Sequence, residues 1–152
     1  MRRLFRFFED LGGLLLGFMT ILVLFQVLTR YVFKSPPPWT EELARYVMIW
    51  GTLIVSAALS FDKGHINLDY FVNRLPSHIA KIVYIITGVL VTLFLCLFLL
   101  SGFGLVETAV QVSQRSPGAG LPMVIVYVVI PAAALLMIGA QVVDLRNAMK
   151  GE

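Results

Sequence analysis

The chain has 152 residues, 59% of them hydrophobic, with a mean hydropathy of +0.87 and a formal net charge of +3. An ordinary soluble domain is about 45–50% apolar, so this composition excludes one. Its single cysteine, Cys96, excludes an internal disulfide and any Cys-x-x-Cys redox pair, and it reads as a small packing residue.

No Asp, Glu, Lys or Arg occurs in 11–29, 46–61, 82–106 or 116–143. A helix needs roughly 20 apolar residues to cross a bilayer core of about 30 Å. The pattern predicts an all-α membrane protein, a single domain over 1–152, with transmembrane helices at about 11–33, 41–61, 78–106 and 122–145. A β-barrel does not fit, because barrel strands alternate polar and apolar residues over about ten positions.

Residues 2–10 carry Leu4, Phe5, Phe7 and Phe8 on one helical arc and Arg2, Arg3, Arg6, Glu9 and Asp10 on the other. This predicts a short amphipathic helix lying in the phospholipid headgroup layer. The first span then opens with Gly13-Leu14-Leu15-Leu16-Gly17, a GxxxG pattern that permits close helix approach. No cleavage site follows, so this segment reads as an uncleaved helix rather than a signal peptide. Gln26, Thr29 and Arg30 share a face near its far end, and such a polar stripe should face protein.

The link from Arg30 to Arg45 is short and crowded with charge, proline and tryptophan. Pro36, Pro37 and Pro38 should hold it extended. Thr40 is placed to cap the second span, with Glu41 and Glu42 at its positive end. Arg45 is within i+4 and i+3 reach of the two glutamates. We expect Arg30, Trp39, Glu41, Glu42, Arg45 and Tyr46 to form a polar clasp, holding the first two spans or touching a partner.

Along the second span Ala44, Val47, Gly51, Ile54, Ala58 and Phe61 recur at 3-4 spacing. Small residues at every second position, Gly51 and Ala58 among them, predict a close left-handed crossing. Trp50 lies near mid-depth, away from the interfacial belts where tryptophan is enriched, which fits either burial against a partner or a lipid-facing position. Between the second and third spans, Leu68, Phe71, Val72 and Leu75 make one apolar stripe, with His65 and Asp69 on a neighbouring arc. This predicts a second interfacial helix at about 65–75. A Pro117-Gly118-Ala119-Gly120 turn precedes the last span, and Pro131 should kink that span.

Eight of the twelve cations lie with the two termini, the 62–77 link and Lys81 just after it; four, Arg30, Lys34, Arg45 and Arg115, lie on the opposite side. The positive-inside rule puts both termini in the cytoplasm and the Arg30–Arg45 link outside. Neither histidine, His65 or His78, lies inside a span as a bis-histidine haem protein would require. No carboxylate lies mid-membrane, as a four-helix proton-coupled exporter would require. No catalytic or metal-ligating constellation is present, so we expect neither an enzyme nor a cofactor, and no nucleic-acid partner. The core offers no paired broken helices of the kind that form transport sites. An accessory subunit is the reading the residues favour. A standalone small transporter and a membrane anchor for an unrelated complex remain as alternatives.

Arg30-Tyr31-Val32-Phe33, followed by Trp39-Thr40-Glu41-Glu42-Leu43-Ala44-Arg45-Tyr46, resembles the small membrane subunit of tripartite ATP-independent periplasmic (TRAP) transporters. Gly64-His65-Ile66 with Leu68-Asp69 and Leu75-Pro76, and Leu121-Pro122 with Tyr127 and Pro131, are similar to later parts of that family in the same order. The resemblance implies an inner-membrane scaffold in a heterodimer with a large elevator-type permease. It further implies a periplasmic substrate-binding protein and sodium-coupled uptake of an organic acid, a carboxylate solute. In such an assembly the small subunit braces the static part, and substrate selection lies in the other subunits.

Overall fold

The computed structural model describes residues 2–35, 37–61 and 77–150. They form α1 (Arg2–Tyr31), α2 (Pro38–Leu59), α3 (Ser77–Gln111), α4 (Met123–Tyr127) and α5 (Val129–Lys150). Four stretches are long and apolar enough to cross a membrane: Asp10–Tyr31, Pro38–Leu59, His78–Gln111 and Met123–Arg146. Among the described residues no strand forms beyond one isolated bridge, Arg115 to Pro122. The expected all-helical class is what the chain adopts.

The boundaries differ from expectation in four places, each for a local reason. Residues 2–10 are not a separate helix; they continue into α1 without a break at Gly12-Gly13. Helix α2 begins at Pro38, three residues earlier than expected. Proline suits this first helical position, where its missing N–H has no intrahelical partner to lose. Thr40 therefore lies inside the first turn and does not cap it. Its buried hydroxyl donates back to the Pro37 carbonyl at 2.7 Å. Helix α3 runs on to Gln111, so Glu107 is helical and accepts from Gln111 Nε2 at 3.1 Å. The last span divides between Tyr127 and Val129. Pro131 has no N–H to return to the carbonyl of Tyr127, and the interruption falls at that turn. The expected interfacial helix at 65–75, with His65 and Asp69, lies outside the described residues.

The helices stand in a row. Helix α1 packs along α2, α2 along α5, and α5 along α3, while short α4 touches α2, α3 and α5. Helices α1 and α3 are the two outer members. The first hairpin is held by small residues and rings. Gly12 lies hard against Val55, and a Cβ at Gly51 would sit 3.5 Å from Leu15 Cβ. Farther out, the rings of Phe25 and Trp39 are 6.3 Å apart. These pairs step in opposite directions along the two helices, as an antiparallel crossing requires. The expected small-residue seam is seated at Ala44, Gly51 and Ala58, all buried, while Phe61 at its end is exposed. The GxxxG pair serves no contact here: nothing lies within 4 Å of a Cβ placed at Gly13 or Gly17.

The second hairpin has a seam that the sequence reading did not identify. Gly88, Leu95, Gly102 and Ala109 are buried on one face of α3, a 7-residue repeat. Gly88 meets Leu145 and Gly102 meets the kink of α5. A Cβ at Gly102 would stand 2.9 Å from Ile130 Cγ2 and 3.0 Å from Pro131 Cδ. At its outer end Ala109 joins Met123 and Val126 in a small core, with Tyr46 and Ile49 of α2 packed against it. Helix α3 has 35 residues, about 52 Å at 1.5 Å per residue. It therefore tilts or projects well beyond a core of about 30 Å.

The Gly102 contact predicts a contrast between near neighbours. Gly102→Leu should lower the stability of the purified chain in detergent by about 1–3 kcal/mol, the usual cost of overpacking a filled contact. Gly104→Leu should change it by no more than about 0.5 kcal/mol, because nothing lies within 4 Å of a Cβ there. Thermal or denaturant unfolding of the two variants provides the check. Equal losses would contradict the α3–α5 packing.

Candidate functional site

The sequence places two glutamates side by side at the start of α2, and the helix turns them apart. Residues i and i+1 are about 100° apart on a helix. Glu41 faces outward and pairs with Arg45 at 3.2 Å, both side chains more than half exposed. Exposed i,i+4 pairs of this kind are worth about 0.3–0.5 kcal/mol. Glu42 points the other way and is half-buried beneath the loop between α3 and α4. Its two carboxylate oxygens accept the backbone N–H groups of Gly118 (2.9 Å) and Ala119 (3.0 Å).

The loop is built so that these two N–H groups are the ones left over. Ser116 donates its N–H to the Leu121 carbonyl at 2.9 Å, and Gly120 donates to the Ser116 carbonyl at 3.0 Å. The Leu121 N–H goes to the buried Ser116 hydroxyl at 3.2 Å, and Met123 N–H goes to the Gln114 carbonyl at 2.9 Å. Pro117 has no N–H to offer. The N–H groups of Gly118 and Ala119 remain, both partly buried and without a partner in their own loop. The glycine at 118 is required by proximity: a Cβ there would lie 3.0 Å from the Pro38 carbonyl group and 3.1 Å from Glu42 Cδ. The loop backbone thus rests directly on the first turn of α2.

The other expected site residues fall in different places. Thr29 is buried and its hydroxyl donates to Phe25 and Gln26 carbonyls of its own helix. Arg30 stands apart from the glutamates, and its exposed side chain meets no hydrogen-bonding or ionic partner among the described residues. Trp39 packs on Phe25. Tyr46 reaches across to α4 and places its hydroxyl 3.4 Å from Met123 Sδ. Trp50 is half-buried and lines an apolar groove of about 250 Å³ with Leu15, Tyr46, Val47, Ile125 and Val126. Gly51 and Ala58 are buried in the helix row. The structure therefore brings Glu42 and Tyr46 to the second hairpin and leaves Glu41 with Arg45. The missed members are Ser116, Gly118 and Ala119. The Pro117–Gly120 turn, with donors to spare, was the available signal.

Glu42→Ala should speed hydrogen exchange at the Gly118 and Ala119 amides by roughly tenfold, since each loses a bond to a charged acceptor. Glu41→Ala should leave both amides unchanged. Site-resolved exchange in micelles measures this directly.

Residues 19–151 match the family model described as "Tripartite ATP-independent periplasmic transporters, DctQ component". A putative TRAP transporter small permease protein of Haemophilus influenzae is 30% identical over 124 residues, covering 81% of this chain and 75% of the relative. The sialic acid TRAP transporter permease protein SiaT of the same species is 36% identical over 98 residues, 64% of this chain but 15% of the relative. The isethionate TRAP transporter permease protein DctMQ of Oleidesulfovibrio alaskensis is 28% identical over 145 residues, 90% of this chain and 23% of the relative. The chain thus spans most of a small permease protein and a minor part of two larger ones. It belongs to the DctQ component family of tripartite ATP-independent periplasmic transporters, as a small permease subunit.

Proposed function

We propose that this chain is the stationary scaffold of a TRAP transporter, bracing a large elevator-type permease during sodium-coupled, binding-protein-dependent uptake of an organic acid. The observation that carries the reading is the bond pattern at Glu42. A stationary wall must keep its helices in fixed register while its neighbour moves. The two hairpins of this chain are joined at one end by a carboxylate bridging two backbone donors of the opposite loop. Glycine and alanine contacts set the spacing along the rest of the row.

Side-chain chemistry supports the same division of labour. The buried polar side chains among the described residues are Thr29, Thr40 and Ser116, and each bonds local backbone. The groove beside Trp50 is apolar. A solute that carries an anionic group would find its recognition in another subunit. Two relatives are named for sialic acid and isethionate, both organic anions, and this favours the same class here. Both are larger chains that this one matches over a minor part, in keeping with a large permease as its partner. The charge balance assigns both termini to the cytoplasm and the Glu42 clasp to the periplasmic side, within reach of a docked binding protein.

The test is reconstitution. A tagged copy of this chain should co-purify with a large TRAP permease of the same cell. Proteoliposomes holding both should take up the solute with sodium and the binding protein, and those holding this chain alone should not. Glu42→Lys should reduce recovery of the assembled pair, whereas Glu41→Lys should spare it. Uptake by this chain alone, or failure to recover any large partner, would overturn the proposal.

A further inference from the structure

Four cations share the side of the molecule that carries the α1–α2 turn, and two of them are occupied. Arg45 is paired with Glu41 at 3.2 Å. Arg115 donates from Nη1 to the Gly120 carbonyl at 3.3 Å. Arg30 and Lys34 form no hydrogen bond or ion pair with any described residue. They bracket three of the most exposed apolar side chains in the chain: Tyr31 (76%), Val32 (66%) and Phe33 (72%).

The backbone holds this tip out. The Val32 and Phe33 N–H groups still return to the Leu28 and Thr29 carbonyls, at 2.8 and 3.2 Å. Lys34 then adopts a left-handed conformation, φ 52°, and reverses the chain. A lysine pays about 1–2 kcal/mol for that conformation where glycine would not, so the position is held by a tight turn and not by residue preference. The tip closes α1, which is an outer member of the helix row. It therefore lies exposed at the edge of the row and not in the interior of the chain.

Aromatic rings at the end of a span sit at headgroup depth, and cations beside them attract anionic lipid. Two uncompensated cations on the side where the topology rule disfavours them call for a negative partner. We propose that residues 30–34 form a binding surface for anionic phospholipid, with Arg30 and Lys34 on the phosphates and Tyr31 and Phe33 among the upper acyl chains. The surface would fix the depth of the α1–α2 hairpin in the membrane. This holds whether or not the chain braces a permease.

Phe33→p-benzoylphenylalanine, introduced into the full chain, places a photo-cross-linker at the tip. In nanodiscs of equal parts phosphatidylglycerol and phosphatidylcholine, illumination should give lipid adducts enriched roughly thirtyfold in phosphatidylglycerol, the order expected from two surface cations. Adding Arg30→Gln and Lys34→Gln should abolish the enrichment, and exchanging the charges by Arg30→Lys and Lys34→Arg should preserve it. Helicity and monodispersity confirm that each variant is folded. Adducts without headgroup preference would overturn the proposal. So would adducts chiefly to protein when the same chain is illuminated with the large permease and binding protein present.

Discussion

Two backbone N–H groups that their own loop cannot use, met by one carboxylate on another helix, set the relation between the halves of this molecule. The sequence between Ser116 and Leu121 folds back on itself and consumes every other donor it has. Glu42 supplies both acceptors, and it does so from the first turn of α2, where a negative charge is also favoured by the helix dipole. The bond joins residues 76 and 77 apart in the chain. Side chains that pack only by shape allow hairpins to slide in a bilayer. A bidentate contact of this kind specifies one register.

Around that fixed point the packing is of a common membrane type, with a division between the two hairpins. The first closes on Gly12, Gly51 and the Phe25–Trp39 rings, so its helices approach closely at the end away from the turn and hold a tilted aromatic contact near it. The second closes on a glycine opposite a proline. Gly102 makes room for the Ile130–Pro131 turn, so the kink of the last span is received by its neighbour and not left open to lipid. The α2–α5 contact, supported by Tyr46 against Met123, joins the two. Such a row has two broad apolar faces, a geometry suited to lining a larger partner.

Much of this was legible in the residues because the bilayer imposes coarse rules. Charge-free runs gave four spans, and Pro131 marked the interruption near Val128. The family was legible too, from Trp39-Thr40-Glu41-Glu42-Leu43-Ala44-Arg45-Tyr46 and the Leu-Pro pieces. What could not be read were contacts between residues far apart in the chain. Glu41 and Glu42 look alike in sequence, and only the loop above α2 distinguishes them. Thr40 has the profile of a helix cap, yet Pro37-Pro38 moves the helix start three residues earlier and turns its hydroxyl to a different use. Gly13 and Gly17 carry the expected motif, but the register of α1 on α2 selects Gly12. Pattern shows which residues are able to pack closely; the partner's position determines which of them do.

The central claim is that Glu42 locks the two hairpins into one rigid row. Electron–electron distance measurements test it most directly, with spin labels at Met48 on α2 and Val110 on α3, both on exposed positions, in a chain carrying Cys96→Ser. The account predicts one narrow distance distribution in the native sequence and a broad or multiple one when Glu42→Ala is added. Narrow, superimposable distributions for the two would contradict it.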